Sequence, residues 1–166
     1  MFIEAIKEDC EKVAALATRT FSETFGHLYR PENLAQHIEK TCSADYFRQS
    51  LDEGDTLLML QDAGQLIGYG KVGRMRLPYK SSPGAQEIHR VYVAKEFQRR
   101  GHGKSMMLHI MALPRITTAP ATYLSVWEEN ISAQALYKQY GFESVGRYLY
   151  QVGDQFDQEI IMARKR

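Results

Sequence analysis

The stretch between residues 98 and 104 carries the highest density of groups able to bind an anion. It consists of Gln98, Arg99, Arg100, Gly101, His102, Gly103 and Lys104. A hydrophobic segment precedes it and a helix-forming segment follows, so consecutive backbone N–H groups surround a corner that ends at a helix N-terminus. The glycines let the main chain approach a ligand closely, and the basic side chains add positive charge. This turn is therefore predicted to hold a diphosphate.

Two common diphosphate-binding motifs do not fit this turn. A P-loop has the pattern Gly-x-x-x-x-Gly-Lys-Ser/Thr, and Gln98 stands where its first glycine is needed. A dinucleotide-binding turn has the pattern Gly-x-Gly-x-x-Gly, and Met106 occupies the third glycine position. The pattern that remains, Gln-x-x-Gly-x-Gly after a hydrophobic strand, resembles the pyrophosphate loop of the GNAT N-acetyltransferases. The alternative for this loop alone is a strand-to-helix turn with incidental arginines.

A second block, residues 123–142, resembles the other half of the cofactor site in the same family. An apolar strand ends in polar residues at Asn130, which is placed to cap the helix that follows, and Gly141 is placed to end that helix. The family-like spacing is Asn130-x-x-Ala133-x-x-x-Tyr137, followed by Tyr-Gly-Phe. With the strand that begins at Glu87, the similar blocks span about a third of the chain.

The resemblance implies an acetyl-CoA-dependent enzyme in which an amine attacks the thioester directly, without a metal. It implies that the fourth and fifth strands separate at one end, where the pantetheine arm bonds the main chain like an additional strand. It assigns acetyl-CoA contacts to Val91, Tyr92, Val93, Gln98, Arg99, Arg100, Gly101, His102, Gly103, Lys104, Asn130 and Ala133.

Two side chains are candidates for proton transfer. Tyr137 lies seven residues after Asn130, where the resemblance implies an acid for the leaving thiolate; aromatic core packing is the alternative. Glu87 lies where the family often places a glutamate on this strand, and we predict that it acts as a base through one or two waters. The alternative is a glutamate that only solvates the start of the strand. His89 could relay a proton, or it could be a hydrogen-bonded packing residue.

The acceptor site is less well defined by the sequence. Phe21 and Phe25 lie one helical turn apart, and with Glu128 they are the predicted acceptor-binding residues. Several segments resemble the PaiA-type branch of the family, which is linked to spermidine and spermine acetylation. A polyamine would need carboxylates around an aromatic groove, and those available are Glu23, Glu128, Glu129 and Asp154. Core packing is the alternative for the phenylalanines, and a peptide N-terminus or another small amine is the alternative acceptor.

Composition narrows the class of protein. The formal net charge of the 166 residues is +1, which argues against a general nucleic-acid binder because little positive charge is available to displace counterions. The spacing of Cys10 and Cys42 does not match that of metal ligands, and no secretory leader is recognisable in the sequence. We therefore expect free thiols and a cytoplasmic protein. No apolar run is long enough to cross a membrane.

The hydrophobic pattern predicts an α/β fold, with one mixed sheet of about seven strands flanked by four to five helices in a single domain, residues 1–166. The predicted strands are Phe2–Ile6, Thr56–Gln61, Leu66–Arg74, Glu87–Val93, Thr122–Trp127, Glu143–Val152 and Gln155–Ala163. The predicted helices are Asp9–Phe25, Pro31–Lys40, Ala44–Leu51, Gly103–Leu113 and Ile131–Tyr140. Pro114 either follows the fourth helix or kinks a longer one.

Two rival functions remain at this level. The same fold could serve as an acyl-CoA-binding regulatory module without catalysis, and the turn could instead belong to an unusual nucleotide-binding loop. By family analogy alone, the C-terminal strands could pair between two subunits and give a homodimer.

Overall fold

The computed structural model describes residues 1–166. The strands are β1 (Phe2–Glu4), β2 (Thr56–Asp62), β3 (Gln65–Arg74), β4 (Gln86–Val93), β5 (Ala121–Trp127), β6 (Glu143–Val152) and β7 (Gln155–Lys165). The helices are α1 (Cys10–Phe25), α2 (Pro31–Cys42), α3 (Ala44–Asp52), α4 (His102–Met111), α5 (Pro114–Thr117) and α6 (Ile131–Gln139). The predicted strands and helices are all present, and their ends differ from the prediction by two residues or fewer.

The seven strands form one sheet in the order β1-β2-β3-β4-β5-β7-β6. β4 and β5 pair in parallel, and every other neighbouring pair is antiparallel. Five helices of nine residues or more flank the sheet. The prediction of a mixed α/β sheet is confirmed.

β4 and β5 are paired at only one end. Their parallel pairing stops at Ile88 and Leu124, whereas β4 continues to Val93 and β5 to Trp127. Each strand keeps its other neighbour along this stretch, because β4 follows β3 and β5 follows β7. The separation predicted for the fourth and fifth strands is therefore confirmed.

A β-bulge lies where the two strands part. Arg90 is opposite Lys71 and Ile88 is opposite Val72, which leaves His89 without a partner on β3. A bulge bends its strand and re-aims the side chains beyond it. Such a bend directs β4 away from β5. The facing edges of the two strands are then not paired with each other beyond this point.

Apolar side chains cover both faces of the sheet. Successive residues of β2 alternate between two separate clusters, with Leu57 in one and Leu58 in the other, as the two-residue period of a strand requires. α1, α2 and α3 pack on the first face, where Phe47 is fully buried. α4 packs on the second through Met106 and Ile110. The open end of β4 and β5 is thus held between two rigid layers.

Local signals in the sequence fix several ends of these elements. The Ser43 hydroxyl accepts a hydrogen bond from the Tyr46 amide (3.2 Å) and caps α3. α4 ends at Met111, and Pro114 occupies the first turn of the separate helix α5. Pro114 therefore follows the fourth helix and does not kink a longer one.

Cys10 and Cys42 are buried free thiols, as the sequence indicated. None of the helices combines the length and the apolar character that a membrane-crossing helix requires.

Candidate active site

A cavity of about 550 Å³ occupies the opening between β4 and β5. Val91 and Val93 lie on its β4 side, and Val126 and Trp127 lie on its β5 side. The turn before α4, helix α6, the end of α1, and strands β6 and β7 complete its walls. A concave site of this size, lined by apolar and polar residues in similar numbers, is a candidate small-molecule binding site.

The turn before α4 has the backbone conformation of an anion-binding turn. Arg99 (φ 62°) and Gly101 (φ 84°) are both in the left-handed region, and left-handed residues alternating with others direct successive N–H groups to one concave side. The Gln98 side-chain Nε2 donates to the Val93 carbonyl (2.9 Å) and ties the turn to the end of β4. Gln98, Arg99 and Gly103 lie on the cavity wall.

The other four residues of the predicted phosphate turn lie beside the cavity and are not on its wall. The Arg100 guanidinium lies 5.6 Å from the centre of the Phe97 ring. The Lys104 carbonyl accepts a hydrogen bond from the Tyr140 hydroxyl (2.7 Å), which joins α4 to α6. Gly101 precedes the first residue of α4, His102. Backbone amides and exposed charges at this helix N-terminus remain available to an anion.

Helix α6 brings its predicted residues to the same cavity. The Asn130 side-chain oxygen accepts hydrogen bonds from the Ala133 amide (3.2 Å) and the Ser132 hydroxyl (3.3 Å), so it caps the helix as expected. Gly141, just beyond the helix, has a φ of 82°, the left-handed conformation predicted for its end. Asn130, Ala133 and Tyr137 all lie on the cavity wall.

Every fully buried polar side-chain atom in the protein has a hydrogen-bond partner. The Tyr137 hydroxyl has no such partner, so it is not fully buried. The hydroxyl therefore keeps access to the cavity. Burial, and secondarily the charge of Glu159, raise the pKa of Tyr137 to about 12. A phenol with this pKa is neutral at physiological pH and is able to donate a proton or a hydrogen bond.

Glu159 is a second titratable group on the cavity wall, and it is not among the residues predicted from the sequence. It lies on β7 opposite Trp127 of β5. Burial raises its pKa to about 7; the nearby Ser125 hydroxyl opposes this rise and the charge of Asp157 adds to it. A carboxyl group with this pKa can accept a proton near neutral pH, which is the property required of a general base.

The raised pKa of Glu159 predicts a stability effect that does not depend on catalysis. Between its ordinary value of 4.5 and about 7, the folded state binds more protons at this site than the unfolded state does, so stability falls as pH rises through this interval. Glu159→Gln cannot ionise, and we expect it to raise the Tm by about 3–8 °C at pH ~8 and by little at pH ~5. Thermal unfolding of both proteins at the two pH values measures this. Equal Tm differences at both would contradict the raised pKa.

Glu87 is buried and engaged in a different part of the structure. Its carboxylate accepts hydrogen bonds from the Arg76 amide (2.7 Å) and the Leu77 amide (3.0 Å), and contacts His89 Nδ1 at 2.9 Å. Burial would raise its pKa, but the bond to His89 and the backbone amides hold the pKa below its ordinary value. The carboxylate of Glu87 is not on the cavity wall.

The hydrogen bonds of His89 fix its tautomer. Arg76 Nη1 lies 2.9 Å from His89 Nε2, and a guanidinium can only donate, so Nε2 is the acceptor. Nδ1 then carries the proton and donates it to Glu87. His89 lies on the cavity wall at the bulge, with both ring nitrogens occupied by the protein.

Aromatic side chains surround the other half of the cavity. The ring centres of Phe21 and Phe25 are 5.0 Å apart, and those of Phe25 and Trp127 are 6.0 Å apart in an edge-on contact. Tyr29 and Tyr150 line the same region. The predicted pair of phenylalanines is therefore brought to the cavity.

The carboxylates considered for an amine acceptor are not gathered together. Glu23 is on the cavity wall. Glu128 pairs with Arg147 (3.2 Å) and Asp154 with Arg30 (2.7 Å), and neither is on the wall. The acidic groups that do line the cavity are thus Glu23 and Glu159.

The family model described as the acetyltransferase (GNAT) domain matches residues 25–156. The chain belongs to the GNAT family. It is an acetyl-CoA-dependent N-acetyltransferase, as its sequence indicated.

Known GNAT proteins match the chain over different lengths. An uncharacterized N-acetyltransferase of Lactobacillus delbrueckii subsp. lactis is 26% identical over 98% of this chain and 95% of the relative. The N-alpha-acetyltransferase RimI of Mycobacterium tuberculosis is 31% identical over 52% of this chain and 51% of its own length. A probable spermine N(1)-acetyltransferase of Bacillus subtilis subsp. natto is 29% identical over 50% of this chain and 56% of its own length.

A solved GNAT structure has the same fold. The PaiA N-acetyltransferase of Thermoplasma acidophilum, in complex with coenzyme A, superposes with a TM-score of 0.77 at 19% identity, covering 100% of this chain and 98% of that one. In this chain, the open strands and the left-handed turn at Arg99 and Gly101 fit the carrier of a GNAT enzyme. Bound there, acetyl-CoA supplies an activated acetyl thioester.

A weak signal in the sequence could have identified Glu159. On a strand, Asp157 and Glu159 share one face and Gln158 points to the other. The next residues, Ile160 to Met162, are buried, so an acidic side chain directly before them is placed at the rim of the core. Which face meets the cavity depends on pairing with β5, and the sequence does not specify that pairing.

Proposed function

We propose that this enzyme acetylates a primary amine, with Glu159 accepting the amine proton and Tyr137 protonating the leaving thiolate. The observation that carries the proposal is that both side chains line the opening between β4 and β5, with pKa values of about 7 and about 12. A carboxylate and a neutral phenol with these values suit the two roles at neutral pH.

The proton on the acceptor is the main obstacle to this reaction. An alkyl ammonium has a pKa of about 10.4, and removing its proton at pH 7 costs about 4–5 kcal/mol. Glu159 offers a carboxylate that is about half ionised at neutral pH, as its pKa of about 7 requires. Tyr137 then donates its phenol proton to the sulfur, which is a better leaving group as a thiol than as a thiolate, and the phenolate takes up a proton from solvent before the next turnover.

We assign Glu87 a different role in this scheme. Its bonds to the Arg76 and Leu77 amides and to His89 support a function in holding the bulge that separates β4 from β5. The sequence-based hypothesis of a water-relayed base at Glu87 remains the alternative, and the pH dependence of two variants distinguishes the carboxylates.

We propose that the carrier lies with its diphosphate at the turn before α4 and its pantetheine arm along Val91 and Val93. Arg99→Ala is expected to weaken acetyl-CoA binding about tenfold, because one charge-assisted contact to phosphate is lost. Binding of acetyl-pantetheine, which has no diphosphate, is expected to change by less than about twofold. Calorimetric titration of both ligands measures this, and an equal loss for the two would contradict the proposed orientation.

Two acceptor classes have support. A polyamine such as spermidine or spermine is supported by the relative named probable spermine N(1)-acetyltransferase and by the aromatic walls with Glu23 and Glu159. A peptide N-terminus is supported by the relative named RimI. Both classes present a primary amine to the same cavity.

A thiol-release assay with acetyl-CoA and a panel of amines tests the proposed function. The panel contains spermidine, spermine, N-terminal peptides, lysine derivatives and simple alkyl amines. Release that depends on an amine is the expected result. Tight acetyl-CoA binding without release from any amine would contradict the proposal and favour a regulatory module.

A further inference from the structure

Arg90 is a cation on the cavity wall that has no acidic partner in the protein. Its Nη1 donates weakly to the Tyr69 hydroxyl (3.4 Å) and to Cys42 Sγ (3.6 Å). None of the ion pairs in the structure includes it. Because a guanidinium remains charged at any physiological pH, this positive charge is uncompensated.

The neighbouring buried cation shows how the fold otherwise treats such a group. Lys71 lies opposite Arg90 on β3. Its ammonium pairs with Asp55 (3.3 Å) and donates to Tyr46 (2.6 Å) and Ser50 (2.9 Å). Buried charges normally have partners of this kind, because an unpaired charge away from water is costly. Arg90 lies beside Lys71 and is only partly buried, and it has no acidic partner of this kind.

The geometry of the guanidinium leaves one edge free. Its carbon lies 5.1 Å from the centre of the Tyr46 ring and 5.6 Å from that of Phe47, so the guanidinium packs against two aromatic rings. Nε and Nη2 of Arg90 have no acceptor in the protein. Because every fully buried polar side-chain atom has a hydrogen-bond partner, these two nitrogens are not fully buried. These two nitrogens therefore keep accessible surface, and Arg90 lines the cavity. Two adjacent N–H donors of this type match the two oxygens of a carboxylate.

The groups around Arg90 do not neutralise it. Tyr150 and His37 approach from β6 and α2, and the Tyr150 hydroxyl lies 3.2 Å from His37 Nε2. Burial, and then the charge of Arg90, lower the pKa of His37 to about 4, so His37 is neutral. This part of the cavity therefore keeps a net positive charge, while Glu159 supplies a negative group on another wall.

We propose that Arg90 binds a carboxylate of the acceptor, so that the preferred substrates are amino-carboxylates (amino acids or related molecules with one primary amine and one carboxylate). The proposal rests on the proposed function, because it names the acceptor of the same site. The amine reaches Glu159, the carboxylate pairs with the free edge of Arg90, and the aromatic side chains cover the body between them. A polyamine has no group for Arg90 and is repelled by it.

Matched acceptors test this selectivity. The amino-carboxylates are α-amino acids and a series of ω-amino acids of increasing length, and each is compared with its own neutral amide. The wild-type enzyme is expected to prefer the best amino-carboxylate over its amide by about tenfold or more in kcat/KM. Arg90→Gln is expected to remove this preference by raising KM for the carboxylate, with the amide changed by less than about threefold.

Two further variants separate binding from folding. Arg147→Gln removes an exposed guanidinium outside the cavity and is expected to keep the preference. Arg90→Lys keeps the charge but not the paired donors, and is expected to retain part of the preference; it serves as the test if the glutamine variant does not fold. Equal losses for acid and amide in the Arg90 variants, or spermidine as the best acceptor, would overturn the proposal.

A binding measurement keeps the two proposals distinguishable. The N-acetylated form of the best amino-carboxylate is expected to bind the wild type at least about tenfold more tightly than Arg90→Gln. Arg90-dependent binding without acetyl transfer to any amine would overturn the proposed function and leave the carboxylate site standing. Acetyl transfer without an Arg90-dependent preference would overturn the carboxylate site alone.

Discussion

Glu159→Gln is expected to lower kcat/KM for acetyl transfer about 100-fold near neutral pH, the range found for loss of a general base. In the wild type, kcat/KM is expected to rise with pH through an inflection near the Glu159 pKa of about 7. Glutamine cannot accept the proton, so the variant is expected to show only the rise that comes from ionisation of the amine at higher pH. A pH profile of kcat/KM for both enzymes measures the change.

Glu87→Gln is the matched control for this prediction. Because its carboxylate is bound by two backbone amides and His89, the variant is expected to lose stability but to keep the inflection near pH ~7. The sequence-based hypothesis makes the opposite prediction, in which Glu87→Gln suppresses the rise in rate. An inflection lost in Glu87→Gln and retained in Glu159→Gln would transfer the base to Glu87.

Tyr137→Phe is expected to lower kcat at least about tenfold, because the leaving thiolate loses its proton donor. The affinity for acetyl-CoA is expected to change by less than about threefold, since the ring remains packed beside Phe142 and no hydrogen bond within the protein is lost. Steady-state kinetics with a good acceptor and equilibrium binding of acetyl-CoA measure the two quantities separately.

Tyr140→Phe is a suitable comparison for Tyr137→Phe. It makes the same chemical change directly after the last residue of α6, but its hydroxyl bonds the Lys104 carbonyl and lies outside the cavity wall. We expect kcat to remain within about threefold of the wild type. Near-normal turnover in Tyr137→Phe would remove Tyr137 from the mechanism.

Most of the fold could be predicted from the sequence because its signals are local. Alternating apolar residues set the strands, Ser43 and Asn130 cap helices, and Gly141 ends one. The turn from Gln98 to Lys104 was also recognisable, since its function depends on glycines and backbone amides that are close in sequence.

The acceptor half of the site could not be predicted in this way, because it depends on contacts between distant segments. The roles of Glu87 and Glu159 depend on which strand each one faces, and Glu128 is held by Arg147 from another strand. The free edge of Arg90 depends on a bulge and on the rings of Tyr46 and Phe47. Sequence spacing carries little information about such arrangements.

A crystal structure with coenzyme A bound is the most direct test of how this molecule works. We expect main-chain hydrogen bonds from Val91 and Val93 to the pantetheine arm, the diphosphate at the turn from Gln98 to Lys104, and the sulfur beside the Tyr137 hydroxyl with Glu159 across the cavity. A complex in which β4 and β5 close on each other, or in which coenzyme A binds elsewhere on the surface, would contradict this arrangement.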